Sequence, residues 1–125
     1  LKEWSEGLLA RPATSGEQGY PLAVSVVSIG EVTLVFAAAE VFTETALKLR
    51  ALMPANVTGI VGYASPLVGY IPTDEALAEG GYEVEHAYRF YGHPAAYAPG
   101  SEARLIRAVS TLIRGTASTQ NNSVS

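Results

Sequence analysis

"FAAAEVFTET", residues 36–45, is where the reading of this chain turns. Three alanines extend an apolar run that then meets a carboxylate, Glu40, and beyond it the hydrophobic spacing changes from strand-like to helical. Upstream, "VTLVFAAA" (32–39) reads as a strand, and its nearly unbroken apolar character predicts cover on both faces. "PLAVSVVSI" (21–29) is rich in β-branched residues and opens on a proline, a tolerated strand start. Gly30-Glu31 between them reads as a tight turn, so the pair forms a hairpin. Downstream, Val41, Phe42, Thr45, Ala46, Leu49 and Met53 fit one face of a helix that starts at Glu40 and that Pro54 ends.

Further out, "VTGIVGY" (57–63) is another strand of buried type, and "ASPLVGYIPT" is a loop with a short strand. Thr73 caps a short helix, "DEALAE", which stops at Gly80-Gly81. "YEVEHAYRFYGHPAAYAPG" has no clear period and reads as irregular. Ser101 caps a last helix with an apolar stripe of Leu105, Ile106, Val109, Leu112 and Ile113, and residues 116–125 read as a disordered polar tail. At the other end, residues 1–19 read as a short helix followed by the loop "RPATSGEQG". The order of elements predicts an α/β fold, with α+β as the alternative: a mixed sheet with a hairpin and helices packed on it.

With 48% apolar and 16% charged residues, a chain of 125 residues has the means to bury a core. The net charge is −4 and the eight Lys and Arg are scattered, which argues against nucleic acid as a partner. No stretch approaches the ~18 consecutive apolar residues of a membrane span. Without cysteine, disulfides and thiolate metal sites are excluded. The chain does not begin with Met and reads as one piece of a longer protein.

Glu40 admits two readings. One is a first-turn carboxylate that favours the helix N-terminus through its dipole. The other is a ligand or base at the carboxyl end of a strand, where open sheets place their sites. Tyr70, in "VGYIPT", and Tyr82, in "GGYEVEH", read on pattern as aromatic anchors of loops. His86 and His93, the only histidines, stand at a spacing that enforces no metal site, although a zinc site of Glu40, His86 and His93 is conceivable. Ser65 precedes Pro66 with no base near it in sequence, and there is no G-x-S-x-G elbow.

The succession of the strand into Glu40, "VFTETALKLR", "TGIVGY", "ASPLVGYIPT", "DEALAEGGYE" and "FYGHPAAY" resembles the C-terminal half of the catalytic domain of neutral/alkaline (non-lysosomal) ceramidases, over roughly residues 20–115. The resemblance implies part of a larger catalytic domain that hydrolyses the amide of ceramide to sphingosine and a fatty acid. It further implies one zinc ion held by two His, one Glu and one Tyr. Glu40 stands at the family's glutamate ligand and Tyr70 at its tyrosine ligand. Tyr82 stands at the tyrosine that polarises the scissile carbonyl, and His93 matches a family histidine less closely. The family's Pro-Gly before the glutamate is Ala38-Ala39 here, and its two zinc histidines have no counterpart in this chain. A ceramide-like lipid and the remainder of a parent or partner chain are thus the implied partners, in a secreted or periplasmic setting. Two alternatives stay open: a non-catalytic binding module, and a hydrolase of another N-acyl substrate.

Overall fold

A computed structural model describes residues 2–9, 19–53 and 58–121. The loop expected around residues 11–18, Pro54, and the last four residues of the tail lie outside the described residues. In chain order the elements are α1 (Lys2–Leu9), β1 (Val24–Ile29), β2 (Val32–Ala37), β3 (Glu40–Val41), α2 (Thr43–Ala51), β4 (Thr58–Val61), β5 (Tyr70–Ile71), α3 (Asp74–Glu79), α4 (Tyr82–Glu85), a single 3₁₀ turn (Ala87–Arg89) and α5 (Ser101–Asn121). This is the expected α/β arrangement with a mixed sheet.

β1 and β2 form the antiparallel hairpin in the register Ile29↔Val32, closed by the two-residue turn Gly30-Glu31. β4 adds to β2 in parallel, giving the order β1-β2-β4. Side chains alternate across a strand, so Val26, Val35 and Ile60 line up on one face of the sheet. That face is the core. Val35 packs with Leu49 and Met53 from α2 and its C-terminal turn, with Ile71 from β5, and with Leu105 and Val109 from α5. A buried polar clamp fixes the two helices together. Thr45 Oγ1 donates to Glu102 Oε1 at 2.7 Å, and Lys48 Nζ donates to Glu102 Oε2 at 2.9 Å. The Glu102 carboxylate is buried, and both of its oxygens are satisfied, as burial of a charge requires.

The expected double cover of the strands is not met among the described residues. α2 and α5 both pack on the Val35 face, which leaves the opposite face, with Val27, Ile29, Val32 and Val61, exposed. β4 is correspondingly less buried than its composition predicts, with only Thr58 fully covered.

The helix after Glu40 also starts later than the spacing predicts. β2 ends at Ala37, Ala38 and Ala39 make a bend, and Glu40-Val41 leaves the first sheet to pair with Tyr70-Ile71 in a second, two-stranded parallel sheet. The alanines are buried because other backbone crosses them on two sides. Ala38 N–H donates to Ala23 O, Tyr63 N–H to Ala39 O, Ala64 N–H to Ala37 O, and Val68 N–H to Ala38 O. Gly62 passes so close that a Cβ there would lie 3.1 Å from Ala39 O. Backbone hydrogen bonding decides this crossing, and a larger side chain on either partner would force the segments apart.

Toward the C-terminus, Thr73 caps α3 as expected, accepting from Ala76 N–H at 3.0 Å. The segment expected to be irregular contains α4 and the 3₁₀ turn, both too short to show a period. Ser101 is the first residue of α5 rather than its cap, and its hydroxyl donates back to Ala98 O. α5 runs on through Asn121, past the start of the tail that the composition suggests. One Gly inside a helix costs only about 1 kcal/mol, so Gly115 does not end it.

Candidate functional site

The parallel strands β2 and β4 end side by side, and the chain departs from both ends into one place. Glu40 follows the end of β2 and Tyr63 the end of β4, so both lie beyond the carboxyl ends of parallel strands, the position open α/β sheets use for ligands. Tyr70 joins them because β3 and β5 pair in the register Glu40↔Tyr70, which sets the two side chains next to each other on one side of the ribbon. The two residues assigned to one metal by resemblance therefore do converge. Glu40 precedes the Phe42 N-cap and is not in the first turn of α2, so the first-turn reading is not met. The first-turn acid is Glu44.

Glu40 is 7% exposed, and hydroxyls surround its carboxylate. Tyr63 Oη donates to Oε2 and Tyr91 Oη donates to Oε1, and Tyr70 stands beside the same carboxylate as its register partner. Burial pushes the Glu40 carboxyl up, but the bonds from Tyr63, Tyr91 and Tyr70 together outweigh it and hold the pKa below the ordinary value. The same bonds act in the opposite sense on the donors. The hydrogen bond to Glu40, with burial behind it, pushes Tyr91 up to about 12, and Tyr63 and Tyr70 also rise above the ordinary phenol value. The resting arrangement is therefore an anionic carboxylate held by neutral phenols.

Each donor reaches Glu40 by a different device. Gly69, at φ +100°, accepts the Glu40 N–H through its carbonyl at 2.9 Å and leaves room for the Tyr91 ring. A Cβ on Gly69 would lie 2.8 Å from Tyr91 Cδ2. Tyr63 takes φ +58°, the only non-glycine residue among those described with a positive φ. A left-handed backbone at a bulky residue costs roughly 1–2 kcal/mol and persists where the surroundings over-determine it.

Beside the carboxylate opens a cleft of ≈ 290 Å³ lined by Glu40, Val41, Phe42, Thr43, Glu44, Tyr63, Tyr70 and Glu83. It carries three carboxylates and no basic side chain, a lining that favours a cation or a neutral polar group over an anion. Tyr82 does not line it but stands beside Tyr70, 51% exposed, with ring centroids 6.5 Å apart. The row continues outward to Phe90, with centroids 6.4 Å apart, and inward from Tyr70 to Phe42 at 6.2 Å. Glu40, Tyr70 and Tyr82 thus belong to one cluster.

The histidines do not. His93 is buried, and its Nε2 donates to Val68 O at 2.6 Å. Tyr97 Oη donates to the same oxygen at 2.9 Å, and the Tyr20 ring stacks edge-on against His93 at 4.0 Å between centroids. Burial pushes the Tyr97 phenol up to about 12. Val68 N–H in turn holds Ala38 O, so His93 and Tyr97 brace the loop that delivers Gly69 and Tyr70. His86 is exposed, beside Arg89. A zinc site of Glu40, His86 and His93 is not assembled, and no group of three or more His, Cys, Asp or Glu suited to a metal occurs among the described residues.

Two functional candidates were missed in the sequence. Tyr63 stands after β4 as Glu40 stands after β2, and that shared position was the available signal. Tyr91 had none, because its approach depends on the left-handed turn at Gly69. None of the described helices is long and apolar enough to cross a membrane. No family model matches this chain, and comparison with curated proteins and with solved structures finds no match either.

Proposed function

We propose that this chain supplies half of a zinc-dependent amide hydrolase site of the ceramidase type. Glu40 and Tyr70 are its metal ligands and Tyr82 its donor to the substrate carbonyl. The observation that carries the reading is the Glu40↔Tyr70 register pair at the carboxyl end of β2 and β4. It puts two hard oxygen donors together, and Zn²⁺ accepts carboxylate oxygen readily. The donor set fits part of a zinc shell, and the two further ligands come from outside these residues. When bound, zinc supplies Lewis acidity and lowers the pKa of a water toward about 7.

The chain's own side chains do the rest. Glu40 is kept anionic by its hydroxyl partners and oriented through both oxygens. Tyr70 shares its hydroxyl with Glu40 and is fixed by β-pairing rather than by a flexible loop. Tyr82, whose ring stands beside that of Tyr70, is the hydroxyl donor where negative charge develops on a carbonyl oxygen. Phe42 and Phe90 extend an apolar surface on either side, suited to an acyl chain. The substrate is an N-acyl compound, ceramide by resemblance.

The test uses the intact protein that carries this chain. Zinc content and N-acylsphingosine hydrolysis are measured in wild type and in the Glu40→Ala/Tyr70→Phe double variant. The reading expects stoichiometric zinc and turnover in the first and loss of both in the second. Normal zinc occupancy in the double variant sinks the ligand assignment.

A second reading is favoured by the exposed sheet face of Val27, Ile29, Val32 and Val61. On that reading the chain is a non-catalytic module that docks on a partner. It expects no zinc in the same assay, and association through that face during size-exclusion chromatography.

A further inference from the structure

The two tyrosines outside the family resemblance hold opposite oxygens of Glu40, and they do so in unlike settings. Tyr91 donates to Oε1 with its ring packed against Gly69, where not even a methyl group has room. Tyr63, a residue that is 69% exposed, donates to Oε2 from a backbone in the left-handed region. Both carboxylate oxygens are thus already taken by hydroxyls, with Tyr70 beside them in the β3–β5 register. A cation that binds Glu40 must take an oxygen lone pair, so it competes with these donors. The one that yields at least cost is the most exposed one, with the fewest packing contacts to lose.

We propose that Tyr63 is an exchangeable latch on Glu40. Its hydroxyl and a divalent cation compete for Oε2, while Tyr91 keeps Oε1 and orients the carboxylate toward Tyr70. Tyr63 is thus a positioning residue that sets metal affinity in the cleft it helps to line. This rests on the metal reading of the Glu40 site, and it deepens that reading by naming what regulates access to the carboxylate. The arrangement also sorts ligands. A group that only accepts hydrogen bonds gains nothing by displacing Tyr63, whereas a cation replaces one favourable partner of the carboxylate by a stronger one.

Zinc affinity of the intact protein, measured by competition with a chromogenic chelator at fixed pH, tests the latch. Tyr63→Phe removes the competitor and should tighten zinc about tenfold, the low end of what one hydrogen bond to a charged group is worth. Tyr91→Phe removes the orienting bond and should weaken zinc. Zinc addition should also change tyrosine fluorescence in wild type, and the change should shrink in Tyr63→Phe. Tyr63→Asn, which tolerates the left-handed backbone, carries the same expectation should the Phe variant fold poorly. Zinc binding that the Tyr63 variants leave unchanged or weaken overturns the latch and leaves the ligand assignment standing. A wild-type protein that binds no zinc overturns both.

Discussion

Glu40 is a buried charge whose compensation is entirely phenolic, and that makes its energetics directional in pH. Its folded-state pKa lies below the ordinary 4.5, because hydroxyl bonds outweigh the burial that opposes them. Such a group stabilises the fold above its unfolded pKa, and the contribution is lost as pH falls through the lower folded value. Glu40→Gln removes that dependence. We expect the variant to be less stable than wild type at neutral pH by about 1–3 kcal/mol, the range for hydrogen bonds to a charged group that a neutral amide makes more weakly. The gap should close as pH falls below the ordinary carboxyl value of 4.5, as read by urea denaturation over that range. A constant gap at every pH would mean that Glu40 is not held as an anion. In the same variant, Tyr91 should titrate below about 12, since the bond that raises it is gone.

Among the elements, α2 links the core to the site. It follows directly on β3, and Leu49, 1% exposed, anchors it in the cluster around Val35. Leu49→Ala should cost about 2–5 kcal/mol in thermal or chemical unfolding, the range for a leucine emptied from a packed core. A cost under about 1 kcal/mol would show that the α2 interface is loose. Elements specified by local chemistry were legible in the sequence. The Thr73 cap, the Gly30-Glu31 turn and the Leu105–Val109 stripe each declare themselves within a few residues. β3 and β5 were not legible in that way. Each is a two-residue strand that exists only because the other lies beside it, and no window of local periodicity contains both. The candidate site divided likewise. Glu40, Tyr70 and Tyr82 were visible through motif order, whereas Tyr91 became visible only once Gly69 had turned the chain.

On the scale of the molecule, one sheet face carries the core and the other remains apolar and exposed, while the site sits where the two parallel strands run out. The alanine bend joins these regions, and it has a dynamic consequence. The amides of Ala38, Glu40, Tyr63, Ala64 and Val68 all close one crossing of four chain segments, so no one of them can open without loosening the others. They should therefore exchange with deuterium at similar protection, as a single cooperative unit distinct from α1. A Glu40 amide that exchanges far faster than those of Ala38 and Val68 would show the crossing to be two independent hinges. If they exchange together, the side chains of Tyr63 and Glu40 ride on one rigid knot, and motion at the site is confined to side-chain rotation.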